Sequence, residues 1–244
     1  MISRVTATFR RTVPFHRYLL QAEARQSQNV YSSSATTLIY PEPPTTNHHD
    51  LPSFLAYADR SGLDPASTVY VGTRYEYTIA DTLARYGFSL RRVGGHSDFG
   101  IDLLGTWSVP SAPQPLRVLV QCKALARKIG PHLIRELEGA FAGAPVGWRG
   151  SGVLGLLVTE RPATKGVRDS LGRSRWPMAF VSCSRAGHVR QMLWNHPAEE
   201  QGLDGLGAGT RYVPGREDEA DLLLTWKGGY IPLREPPAPG PMKD

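Results

Sequence analysis

The sequence predicts an α/β fold, a sandwich whose central mixed β-sheet is flanked by helices. Three observations predict it. "VLGLLVTE" (Val153 to Glu160) and "PMAFVSC" (Pro177 to Cys183) are near-continuous apolar runs, the pattern of strands buried on both faces. Stretches with helical spacing stand between the strand-like runs, as an α/β layer arrangement requires. Three strand-like runs follow one another before the second helical stretch, so part of the sheet is antiparallel and the sheet is mixed.

Taken in order, "TRYEYTIADTLARYG" (Thr73 to Gly87) opens the domain as a helix. Ile79, Leu83 and Tyr86 share one stripe, and Gly87 stops it. "FSLRRV" reads as a strand and "GGHSDFG" as a turn. "IDLLGTW" is a second strand. "SVPSAPQPL" joins it to a third, "RVLVQCKAL". Pro131 opens a second helix, with Leu133, Ile134, Leu137 and Phe141 on its apolar side. "TKGVRDSLGRS" reads as a short helix between the two apolar strands. After His196 the signal weakens to a loop, a strand or hairpin in "ADLLLTWKGGYI", and a Pro-rich tail.

Four regions follow. Residues 1–40 are rich in Arg, Ser and Thr with Glu23 as their one acid, the composition of a mitochondrial transit peptide, and imply the matrix as destination. Residues 41–68 read as a linker because of their prolines, with His48, His49 and Asp50 in a solvated loop. Residues 69–196 form the α/β domain. Residues 197–244 are a C-terminal extension and tail.

The formal charge of +6 is uneven. Residues 1–41 carry +4 and residues 91–135 carry +5, whereas 136–244 hold thirteen charges of each sign. General basicity is therefore no argument for nucleic acid. A local basic zone at Arg91, Arg92, Arg127, Lys128 and Arg135 is one, and a second runs from Arg161 to Arg190. No base-reading motif accompanies either. Cys122 and Cys183, the two cysteines, sit in apolar runs with no CxxC spacing and read as core residues. No apolar run approaches the ~18 residues of a membrane span. A Gly-rich phosphate loop, a Ser/His/Asp order and a dinucleotide fingerprint are all missing from the sequence, which argues against small-molecule enzymes of those classes.

The chemistry-bearing residues lie on the strands. Side chains alternate along a strand. Val118, Val120, Cys122 and Ala124 share one face of the third strand, and Leu119, Gln121 and Lys123 the other. The first set is core, and the second turns polar at its end. If the second and third strands pair, Asp102 stands beside Gln121. A carboxylate, an amide oxygen and an ammonium then share one patch, a donor set suited to Mg²⁺ or Mn²⁺. Glu76 lies on the apolar stripe of the first helix. A carboxylate there needs a metal, a lysine or an arginine beside it.

These residues resemble the PD-(D/E)xK nuclease superfamily, and within it the Mrr-type restriction endonuclease-like domain. The likeness rests on "YEYTIADTLARYGF", "DFGIDLL" and "VLVQCK" in that order, followed by "IRELEGAF" and "VLGLLVTE". The leader and the length further resemble the fungal mitochondrial "required for respiratory growth protein 7" family. The resemblance implies a restriction endonuclease-like sandwich and an endonuclease acting on DNA. It implies that Glu76, Asp102 and Gln121 hold Mg²⁺ or Mn²⁺ and that Lys123 activates the attacking water. Arg91, Arg92, Arg127 and Lys128 would contact phosphates. Gln121 replaces the superfamily's commoner acid, and the spacer "TWSVPSAPQPL" is longer than a tight hairpin. Both departures leave an alternative, a non-catalytic nucleic-acid-binding factor for mitochondrial genome maintenance or expression.

Overall fold

A computed structural model describes residues 38–95, 100–125, 127–213 and 216–235 of the chain. The leader expected over residues 1–40 lies outside the described residues up to Thr37, as do His96 and the tail beyond Glu235.

Among the described residues the longer helices and the strands follow in the order α1 Leu51–Ser61, α2 Thr68–Ala84, β1 Phe88–Arg92, β2 Leu103–Trp107, β3 Leu116–Lys123, α3 His132–Gly143, β4 Val153–Thr159, α4 Lys165–Arg173, β5 Met178–Cys183, β6 Val189–Trp194, β7 Leu206–Val213, β8 Arg216–Trp226 and β9 Gly229–Ile231, with two short helical turns between β6 and β7. The first six strands form one mixed sheet in sequence order. β3, β4 and β5 run parallel, and the pairs β1–β2, β2–β3 and β5–β6 are antiparallel. The fold class is the α/β mixed sheet that the sequence predicts. β7, β8 and β9 add a small antiparallel sheet.

The alternation of β3 sets the layers. Val118 and Val120 enter a core with Tyr75, Ile79 and Leu83 of α2 and with Leu206, Leu222 and Leu224 of the small sheet. Leu119 enters the opposite core with α3 and α4, among them Leu133, Leu137, Val167 and Leu171. All seven residues of β4 are buried, as a strand covered on both faces requires. α2 starts where Ser67 accepts a hydrogen bond from the Tyr70 N–H, and Tyr75, Ile79 and Leu83 recur every fourth residue on its buried side. Phe88 and Trp107, opposite each other in the β1–β2 ladder, stack at 4.4 Å. Gly105 lets those strands approach: a Cβ there would sit 1.9 Å from the Ser89 carbonyl oxygen.

Three expectations are corrected. The stretch read as a linker holds α1, capped by Asp50, which accepts a hydrogen bond from the Ser53 N–H, and stopped by Gly62 at φ +63°. His48 is buried and not in a solvated loop. Its Nδ1 lies 2.8 Å from the Tyr77 hydroxyl, and its ring packs on Phe54 and Tyr57. Residues after 196 are part of the main core through the three leucines of the small sheet. Among the described residues no helix is long and apolar enough to cross a membrane.

Candidate functional site

One end of the large sheet gathers the residues of interest. β1 ends there at Arg92, β2 begins there, and β3 ends there at Lys123. The β2–β3 ladder ends where Leu103 pairs with Val120, and Asp102 and Gln121 are the next residues on either strand. The Asp102 N–H donates to the Val120 carbonyl at 2.9 Å, and its own carbonyl accepts from Val93 and Gly94. These backbone bonds hold Asp102 between β1 and β3 despite the long spacer.

The Asp102 carboxylate Oδ2 accepts a hydrogen bond from the Cys122 N–H at 2.6 Å. Gln121 is only 4% exposed, and its Oε1 is buried with no hydrogen-bond partner. Leaving an amide oxygen so costs ~1–3 kcal/mol, which asks for a reason. Gly100 makes room for that side chain. Its φ is +77°, and a Cβ there would sit 2.9 Å from Gln121 Nε2. The glycine of "GID" thus serves both the turn and the amide.

Glu76 projects from α2, one residue beyond the core residue Tyr75. Its Oε2 lies 2.5 Å from Arg92 Nε, with the two side chains 12% and 14% exposed. Of the partners that a buried Glu76 requires, the arginine is therefore present. The Arg92 guanidinium also lies 5.9 Å from the Tyr77 ring centroid. Lys123 Nζ lies 3.1 Å from Glu136 Oε2 on α3. Glu136 is a residue that sequence reasoning missed. Its one sign is its place beside Leu137, at the margin of the apolar stripe.

The Cys122 thiol lies where these charges converge. Burial pushes its pKa well up, and the Asp102 and Glu76 carboxylates push in the same direction, while Lys123 opposes them. The charges of Asp102, Glu76 and Lys123 thus all act on Cys122, and Glu76 and Lys123 each hold a protein partner, Arg92 and Glu136. Gln121 Oε1 is a buried oxygen donor without a hydrogen-bond partner, while the Asp102 carboxylate is engaged by the Cys122 N–H. Among the described residues no group of three or more His, Cys, Asp and Glu is arranged to hold a metal.

Of the four phosphate-contact candidates, Arg91, Arg127 and Lys128 are exposed. Arg91 stacks over Tyr40 at 4.4 Å. Arg92 alternates to the opposite face of β1 and is held by Glu76. His132 is exposed in the first turn of α3.

Comparisons with known proteins agree with one another. The family model described as required for respiratory growth protein 7 matches residues 67–212. An uncharacterized mitochondrial protein of Schizosaccharomyces pombe is 32% identical over 158 residues, 63% of this chain and 62% of its own. The required for respiratory growth protein 7, mitochondrial, of Eremothecium gossypii is 37% identical over 112 residues, 31% of this chain and 47% of its own. Its namesake in Saccharomyces cerevisiae is 24% identical over 172 residues, 53% of this chain and 71% of its own. The match thus spans about six-tenths of the first relative and half of the second. No solved structure is significantly similar. With α2, the whole six-stranded sheet and the Asp102–Gln121 pair all inside the matched segment, the chain belongs to the required for respiratory growth protein 7 family.

Proposed function

We propose that this chain is a mitochondrial protein supporting respiratory growth through a PD-(D/E)xK-type domain that hydrolyses phosphodiester bonds of DNA with a divalent metal. The family and the names of the relatives support the organelle and the respiratory role. The observation that carries the chemistry is the buried Gln121 Oε1, without a hydrogen-bond partner, on the strand whose Cys122 N–H binds the Asp102 carboxylate.

Those two oxygens suit Mg²⁺ or Mn²⁺, which bind through one or two carboxylates plus water and substrate phosphate. When bound, such an ion neutralises phosphate charge and lowers the pKa of water. Asp102 is fixed by three backbone hydrogen bonds, and its carboxylate is oriented by the Cys122 N–H. Lys123 supplies an ammonium two residues beyond Gln121 on the same face, placed to hold the attacking water and to meet the charge that grows on the phosphoryl oxygens. Glu136 holds that ammonium until substrate arrives. Glu76 anchors Arg92 and adds negative charge beside the pair.

The test is DNA cleavage by purified protein with Mg²⁺ or Mn²⁺. Lys123→Ala and Asp102→Asn should each cut at least ~100-fold more slowly. Equal cleavage by wild type and both variants would refute the reading. A second reading, a non-catalytic nucleic-acid-binding factor, is favoured by the commitment of Glu76 to Arg92 and of Lys123 to Glu136. It requires that a strain carrying Lys123→Ala respires normally while a deletion strain does not.

A further inference from the structure

A cleft of about 290 Å³ opens on the α2 side of the same sheet end. Pro65, Tyr70, Val71 and Arg74 line one wall, and Arg185 and Ala186, from the turn between β5 and β6, line the other. Tyr75 closes the floor, its hydroxyl fixed by donation to the Cys183 carbonyl at 2.8 Å. Three features bear on its use. It combines apolar and aromatic walls with two guanidinium groups. Arg185 is half-balanced by Glu160 at 2.8 Å, whereas exposed Arg74 has no ion pair among the described residues. Arg185 also reaches to within 3.5 Å of the Ala124 carbonyl, so the cleft borders the end of β3, on the face opposite the Lys123–Glu136 pair.

The geometry points to this cleft as a subsite for one unpaired nucleotide of a strand that passes the end of β3. The proposal rests on the nuclease reading for its substrate class and adds the form of that substrate. A base enters between the Tyr70–Val71 wall and Ala186. Its phosphate meets Arg74 and Arg185. A paired base cannot enter so narrow a space without leaving its stack, and stacking with a cationic rim favours single strands over duplex.

The experiment measures binding by fluorescence anisotropy in EDTA, where no cleavage occurs, for a short labelled single strand and for its duplex. Arg74→Glu reverses the unpaired charge. Ala186→Trp fills the cleft without changing charge, at an exposed turn where folding is not at stake. Each should weaken single-strand binding about tenfold and change duplex binding much less. A deoxynucleoside monophosphate should displace the strand from wild type at concentrations where inorganic phosphate does not. Unchanged single-strand binding in both variants would overturn the proposal. So would equal losses for strand and duplex, or a strand that phosphate displaces as well as the nucleotide does. The cleavage assay is read separately. Lys123-dependent cleavage with no effect of Arg74→Glu on strand binding sinks the subsite alone. Arg74-dependent strand binding with no cleavage sinks the nuclease reading alone.

Discussion

Removing Arg92 tests what Glu76 is for. The two side chains are 14% and 12% exposed, so Arg92→Ala leaves a carboxylate almost out of water with its cation gone. Stripping one partner from a fully buried pair costs ~3–5 kcal/mol, and from an exposed pair under ~1 kcal/mol. Burial of nearly nine-tenths places this pair near the first limit, at about 3 kcal/mol. The long contact of the guanidinium with the Tyr77 ring adds at most ~0.5 kcal/mol. For a chain of this size, 3 kcal/mol lowers the Tm by roughly 6–12 °C. Replacing both residues, as Glu76→Leu with Arg92→Leu, removes the stranded charge and should recover about half of the loss or more. Urea unfolding of the four proteins gives the coupling directly. A loss under ~1 kcal/mol for Arg92→Ala would refute the reasoning, since Glu76 would then be satisfied elsewhere.

Three further outcomes are expected. Gly105→Ala should cost about 3 kcal/mol or more in urea unfolding, because its Cβ would lie 1.9 Å from Ser89 O and 2.8 Å from Leu90 Cα, both backbone atoms. His48 has its pKa lowered, first by burial and then by the Arg92 charge. As pH falls below 6.5 the unfolded chain takes up the proton before the folded one, so stability should drop in that window, and His48→Gln should flatten the drop. Cys183 is buried with its thiol pushed up to about 12, and Cys122 is pushed well above the ordinary range. A thiol reagent at pH 8 should therefore label neither at speed in the folded protein and both after denaturation.

Much of the fold was legible because period carries it. The two faces of β3, the stripe of α3 and the doubly covered β4 follow from alternation and helical spacing within a few residues. The adjacency of β2 and β3 was legible too, since consecutive strand-like runs joined by a loop pair as neighbours. Partner choice was not. That Glu76 meets Arg92 and Lys123 meets Glu136 depends on how α2 and α3 lie across the sheet, and no local pattern records it. β6 was missed because "VRQMLW" is an edge strand with an exposed arginine and only two buried residues. α1 was missed for a different reason. Asp50, Pro52 and Gly62 stand at the positions of a helix start and stop, yet the prolines before them drew the reading toward a linker.

The β2–β3 connection has a practical consequence. Residues 108–115 close the hairpin at Trp107 and Leu116, five ladder pairs, about 17 Å, from the Asp102 end. Val109 and Ala112 pack on the main core, whereas Pro113, Gln114 and Pro115 are exposed, so the connection's length is free to change at those three residues. It is a natural point at which to graft a fluorophore tag or an affinity peptide, giving a labelled protein whose strand ends are left as they were.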